Sequence, residues 1–300
     1  MVMKKTAGAG YRVGVLLVLT AAITYSTAGL FTKGVNAGSW DVIFWRAVFA
    51  AAFTIGWTLK SHTFKQNFLA MGQSGWAVGV IGALGTAAFI PAFKLTTIAN
   101  VSLIYAVAPV IAALLAWIVI GERASARTII GCFFAILGVA IIVSGSLGGV
   151  SLIGDMLAMG MTVAMASIMV IYRTFPKTPG AGPAVLQSAF LLPFASMFGN
   201  PFSVAPTEIA ILAAFGFLFA IASVTLAEGA KRIPAGQAAL LSSLETPLAP
   251  IFAFILFVEI PNVATCLGGT IVLLAVTLSI GNDDAQHDDN PCDHEPSHGR

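Results

Sequence analysis

The sequence predicts an all-α integral membrane protein, with ten transmembrane helices arranged as two inverted five-helix repeats. Three observations carry this. Of 300 residues, 58% are hydrophobic and 9% are charged, whereas a water-facing globular surface uses about 25% charged residues. Apolar segments of about 20 residues, long enough to span a hydrocarbon core, recur between short polar or Gly/Pro breaks. The second half of the chain also echoes the first. The few charges are unevenly spread, since Asp283, Asp284, Asp288, Asp289, Asp293 and Glu295 all lie near the C-terminal end. Residues 13–281 are left with seven acidic residues, too few to solvate a globular surface of that size.

Residues 1–12, with Lys4, Lys5 and Arg12, read as a cytoplasmic N-terminal segment. The first span covers 13–32, and its length without a terminal A-x-A site favours a retained helix over a cleaved signal. "NAGSWD" (36–41) turns the chain into the second span, 41–59. The third, 72–93, carries Gly72, Gly75, Gly79, Gly82 and Gly85 on one side, a spacing that lets a neighbouring backbone approach. The fourth, 98–120, contains Pro109, and the fifth covers 127–145. A second set follows at 152–172, 182–199 after "KTPGAGP", 208–227 after "NPFSVAPTE", 235–258 with "ETP" inside it, and 262–281. Trp40, Trp57 and Trp117 fall near span ends, as interfacial anchors do. Residues 282–300, "NDDAQHDDNPCDHEPSHGR", read as a disordered, acidic, His-containing cytoplasmic tail.

The basic residues orient these spans. With a cytoplasmic N-terminus, the inside segments carry Lys4, Lys5, Arg12, Lys60, Lys65, Arg123, Arg127, Arg173, Lys177, Lys231 and Arg232. The outside connections carry Lys33 and Lys94, with Arg46 just inside the second span. That bias obeys the positive-inside rule at every inside loop. It places both termini in the cytoplasm and the chain in a bacterial inner membrane.

The repeat is legible at fixed offsets. At 137, Lys94 matches Lys231, Asn100 matches Gln237, Leu103 matches Leu240, Glu122 matches Glu259 and Gly131 matches Gly268. Upstream the offset drifts to 140 or 141, so that Lys33 faces Arg173 and Arg46 faces Gln187. Each unit holds five spans, 13–145 and 146–281. Five is odd, so the two units enter the membrane in opposite senses, a recurring construction of secondary transporters.

Two segments carry a family resemblance. "APVIAALLAWIVIGERASARTIIGCFFAILGVAIIVS" (108–144) and "LETPLAPIFAFILFVEIPNVATCLGGTIVLLAV" (244–276) resemble the ends of two EamA-type repeats, in which Pro starts an apolar helix, Gly-Glu ends it and Gly opens the next. The second copy reads "ETP" where that pattern more often has Glu directly before Pro. The resemblance covers about residues 13–281 and implies the drug/metabolite transporter superfamily, with a central cavity between the repeats. Within it the chain is most similar to bacterial exporters of aromatic and other amino acids.

Glu245 sits near the middle of the ninth span, where a carboxylate costs on the order of 3 kcal/mol. It reads as a counter-charge for a substrate ammonium, a proton-coupling site, or a structural partner for a buried base or for backbone groups freed by Pro247 and Pro250. Pro109 and Pro247 occupy matching places in the fourth and ninth spans, and interrupted helices at corresponding positions point to a transporter's site. Around them lie Tyr25, Ser26, Asn100, Tyr105, Gln237, Ser242 and Ser243, with Thr24 and Thr27 alongside. These uncharged donors and aromatic edges suit a zwitterion with an apolar side chain, or bond their own helices. Arg46 offers a fork for a substrate carboxylate, snorkels outward, or forms an ion pair with Asp41. Glu122 and Glu259 read as local caps or pairs.

No cofactor, metal site or nucleic-acid partner is expected. Cys132, Cys266 and Cys292 have no metal-ligand spacing, and the bases form no single patch. An intramembrane enzyme is disfavoured by the lack of H-E-x-x-H and of a second intramembrane Asp beside Asp155, and ATP-driven transport by the lack of a Walker loop. The reading is a secondary transporter, monomer plausible. It would export small amino acids and aromatic or hydrophobic amino acids by alternating access. Export of other small metabolites or cationic drugs is the alternative.

Overall fold

The computed structural model describes residues 2–28, 31, 34–95, 101, 104–144, 152–257 and 263–279. Asn100, Lys33, Glu259 and the acidic tail lie outside the described residues. Secondary structure among the described residues is helical, as hydrocarbon demands when every backbone polar group must be paired within its own segment. The principal helices are α1 (Val2–Ser26), α2 (Ser39–Lys60), α3 (Gly72–Leu95), α4 (Ala108–Ile120), α5 (Ala126–Ser144) and α6 (Leu152–Thr174). They continue with α7 (Ala181–Phe198), α8 (Pro206–Ala230), α9 (Ala235–Ser242), α10 (Glu245–Phe257) and α11 (Val263–Ser279). Helices α2, α6, α7 and α8 are each long and apolar enough to cross a membrane unaided. Large side chains such as Leu84, Ile118, Phe133 and Leu267 point outward from the bundle, where lipid is their solvent.

The ninth span is two helices rather than one. The chain turns at Ser243 and Leu244, so α9 ends and α10 begins at Glu245. The fourth span shows the same device: residues 104 and 105 are helical, Ala106 and Val107 form a turn, and α4 starts at Ala108. Each proline therefore sits in a first turn, where its missing N–H costs little. The carbonyl freed next to Pro247 is not left bare, because Thr246 N–H donates to the Ser243 carbonyl at 3.1 Å.

The packing has the two-fold logic of the repeat. Helices α5 and α11, and α2 and α7, pack as pairs that the repeat maps onto themselves. Other contacts come as exchanged couples: α1 with α8 and α6 with α3, α2 with α8 and α7 with α3, α4 with α6 and α10 with α1. Close backbone approach follows the same symmetry. A β-carbon added at Gly131 would lie 3.1 Å from the Ala275 carbonyl, and one at Gly138 would lie 2.7 Å from the Gly268 carbonyl. Residues 131 and 138 are the repeat mates of 268 and 275, so the α5–α11 seam is the same contact made twice. The glycines of α3 are divided among neighbours, with Gly79 and Gly82 facing Leu186 and Gln187 of α7 and Gly85 facing Ala164 of α6.

The Gly-Glu pair that ends the fourth span has two separate jobs. Gly121 adopts the left-handed backbone, φ 68°, and closes α4 as its N–H and that of Glu122 return to Trp117 and Ala116. The Glu122 carboxylate then accepts from Arg173 Nε at 2.6 Å and from the Ala235 N–H at 3.1 Å. One side chain thus ties the end of α4 to α6 and to the first turn of α9, joining the two repeats. Its partners lie on other helices, where its position at a helix end had suggested a local cap or pair.

Two stability measurements test this packing in detergent by thermal unfolding. Gly138→Ala is expected to cost about 1–3 kcal/mol through overpacking, while Gly160→Ala, with nothing within 4 Å of the added carbon, loses none. Glu122→Ala leaves Arg173 and the Ala235 N–H without their acceptor and is expected to cost about 1–3 kcal/mol. Equal midpoints for Gly138→Ala and Gly160→Ala, or an unmoved midpoint for Glu122→Ala, contradict these assignments.

Candidate functional site

Polar groups converge where the fourth and ninth spans are interrupted. Glu245 is the first residue of α10, a position where the positive end of the helix favours a carboxylate. Its carboxylate stands beside the Tyr105 hydroxyl, from the residue just before the turn in the fourth span. This contact brings together one half of each broken span. Their other halves, α4 and α9, pack directly on each other.

Tyr25, in the last turn of α1, faces the same region. Its hydroxyl lies 3.0 Å from Ser223 Oγ on α8, and its ring meets Phe219 edge-on at a centroid distance of 5.7 Å. Tyr25 is within electrostatic range of both Glu245 and Arg46. Arg46 of α2 lays its guanidinium over the Phe219 ring, 4.2 Å from the centroid, with Phe215 at 5.7 Å. Phe215 in turn stacks on Phe31 at 5.3 Å. Cation–π contact stabilises the charge by about 0.5–2 kcal/mol but satisfies no N–H, and Arg46 Nε is buried without a hydrogen-bond partner. Tyr25, Arg46, Tyr105 and Glu245 are all half-buried.

Arg46 does not take the ion pair with Asp41 that their spacing allowed. Asp41 Oδ1 accepts the Asn200 N–H at 2.6 Å and so pins the loop before α8 to α2, beside the Trp45 Nε1–H bond to the Pro201 carbonyl at 2.8 Å. No ion pair joins Arg46 to Glu245 among the described residues. The two opposite charges stand in one cluster, each held by aromatic side chains.

The remaining sequence candidates are placed differently. Ser26 donates to the Ile23 carbonyl at 2.6 Å, Ser242 to Ala238 at 2.9 Å and Ser243 to Leu240 at 2.7 Å. All three are buried, with their protons given to their own helices. Gln237 is fully buried near the start of α9, about 12 Å of helix rise from Glu245. Its amide donates to Tyr11 Oη at 2.6 Å and to the Ser279 carbonyl at 2.5 Å, joining α1, α9 and α11. Pro109 and Pro247 are buried in the first turns of α4 and α10.

Phe219 and Ser223 are the site residues that sequence reasoning missed. They lie four apart on α8, hence on one face, and Ser223 interrupts an apolar run. Nothing in the sequence says that this face meets α1 and α2. Among the described residues no group of His, Cys, Asp and Glu could hold a metal ion.

Comparison with known proteins identifies the lineage. The EamA-like transporter family model matches residues 12–144 and again 148–281, and the chain belongs to that family. It is 26% identical over 271 residues to YyaM of Bacillus subtilis (strain 168), an uncharacterized transporter, covering 85% of this chain and 87% of the relative. It is 27% identical over 256 residues to an uncharacterized transporter of Archaeoglobus fulgidus, covering 80% of this chain and 86% of the relative. A solved crystal structure shares the fold, with TM-score 0.75 and 19% identity over 89% of this chain and 96% of the other. The protein is a multi-pass membrane transporter and not an enzyme.

The Tyr25 contacts can be separated by substitution. Tyr25→Phe keeps the ring against Phe219 and loses the hydroxyl bond, so it is expected to lower stability by about 1 kcal/mol. Tyr25→Ala loses both and falls further. Equal unfolding midpoints for the two variants would show that the ring contact contributes nothing.

Proposed function

We propose that the protein exports small amino acids and aromatic or hydrophobic amino acids across the bacterial inner membrane, by alternating access through a central cavity between the two repeats. The observation that carries this reading is the unpaired couple of Arg46 and Glu245 in one aromatic-walled cluster. A zwitterion complements it at both ends. The substrate carboxylate meets Arg46, whose buried Nε lacks an acceptor, and an Arg–carboxylate fork is a strong, directional bond. The substrate ammonium meets Glu245 beside Tyr105. An apolar or aromatic side chain lies along Phe215 and Phe219. A lone cation would face Arg46 unfavourably, which weighs against cationic drugs as the preferred cargo.

The interrupted spans supply the moving parts. Because Pro109 and Pro247 lie in first turns, the half-helices end near mid-membrane without unpaired donors, and each half can tilt about its turn. Glu245 and Tyr105 sit on two of those halves, so substrate bound at Glu245 engages the hinge itself. The excess of basic residues in alternate loops supports cytoplasmic termini.

Proteoliposomes loaded with labelled phenylalanine and methionine test this. Saturable flux competed by neutral amino acids is expected. Arg46→Gln and Glu245→Gln are each expected to reduce it at least tenfold, about 1.4 kcal/mol of lost interaction. Full flux in Glu245→Gln would make the carboxylate structural. No amino-acid flux, with flux of another metabolite or of a cationic drug, would overturn the substrate and leave the family standing.

A further inference from the structure

The repeat that relates the two halves also relates Arg46 to a residue of different character. At an offset of 141, Arg46 corresponds to Gln187. At an offset of 137, Phe219 corresponds to Gly82 and Ser223 to Thr86. The structure keeps these correspondences as contacts. Arg46 of α2 lies over Phe219 of α8, and Gln187 of α7 lies against Gly82 of α3, where an added β-carbon would come within 2.5 Å of Gln187 Oε1. Ser223 bonds Tyr25, and Thr86 Oγ1 accepts from Gln187 Nε2 at 2.8 Å. Gln187 and Thr86 are half-buried, as the members of the first cluster are. Ile81, next to Gly82, packs against the same apolar core as Tyr25, so both sets border one core.

The two sets differ in charge. One carries a guanidinium, and the other a neutral amide whose terminal atoms fill the space left by a glycine. We propose that Gln187, held by Thr86 and Gly82, is the neutral counterpart of Arg46 across the central site and sets the net charge of the molecule that can be carried. Arg46 and Glu245 cancel, and Gln187 adds nothing, so a permeant of zero net charge leaves the site uncompensated nowhere. A base at position 187 would create a second cation on the opposite wall and require a second anionic group on the cargo. An acid there would require a second cationic group. Uncompensated charges in a membrane interior are costly enough to discriminate in this way.

This inference rests on the reading that Arg46 holds a substrate carboxylate, and the experiment separates the two. Phenylalanine flux into proteoliposomes is competed by phenylalanine, glutamate and lysine for the parent protein, Gln187→Glu, Gln187→Arg and Arg46→Gln. Gln187→Glu is nearly isosteric and is expected to shift the lysine-to-phenylalanine competition ratio at least tenfold toward lysine. Gln187→Arg is expected to shift the glutamate-to-phenylalanine ratio in the opposite sense of charge by a similar factor. A residue that only packs would lower flux without moving the ratios in opposite directions. Unchanged ratios in Gln187→Glu, with flux abolished in Arg46→Gln, overturn the assignment of Gln187 alone. Parent-like flux in Arg46→Gln overturns the reading beneath it. If Gln187→Arg does not insert, Gln187→Glu decides.

Discussion

A backbone in hydrocarbon has no water to bond, and this constraint shapes everything else in the molecule. It makes each crossing helical, and it allows an interruption only where protein re-pairs the freed groups. The fourth and ninth spans are interrupted at matching places, with their prolines shifted into first turns and the adjoining carbonyl taken up by Thr246. Such a break leaves helix ends in the middle of the bundle. Those ends make it tolerable to keep a carboxylate at Glu245, since the positive terminus of α10 and the Tyr105 hydroxyl both act on it.

The polar cluster is thus a consequence of the break and not an independent feature. Tyr25 and Arg46 reach it from α1 and α2 because α8 packs against both helices and offers Phe219 and Ser223 between them. Aromatic faces suit this task. They hold a guanidinium and a phenol in place without neutralising either, so hydrogen-bonding capacity stays available for a ligand. Away from the cluster, charge is spent on architecture: Glu122 joins the two repeats through Arg173 and the start of α9, and Asp41 and Glu208 fasten the loops beside α2.

Much of the site was visible as a residue type out of place. Glu245, Arg46, Tyr25 and Tyr105 interrupt apolar runs, and the structure gathers all four. Ser26, Ser242 and Ser243 interrupt such runs equally well, yet each bonds a carbonyl of its own helix. A hydroxyl three or four residues from a free acceptor always has that local choice, so its presence in a sequence does not reveal its direction. Gln237 shows a different limit. Its amide is paired with Tyr11 and Ser279, which are distant in the chain, and no offset or period announces that meeting.

The sequence by itself determined the solvent, the spans and the duplication. These depend on one-dimensional quantities: the length of apolar runs, the alternation of basic residues and the spacing of matched positions. Tertiary structure decided which face of each helix looks inward. Spans that are apolar all round carry little rotational signal, because lipid accepts the same side chains that a core accepts. The pairing of α8 with α1 and α2, which brings Phe219 under Arg46 and Ser223 to Tyr25, follows from close backbone contacts such as Gly216 against Phe49 and Gly229 against Val18. Those contacts are properties of two surfaces meeting, and neither surface alone contains them.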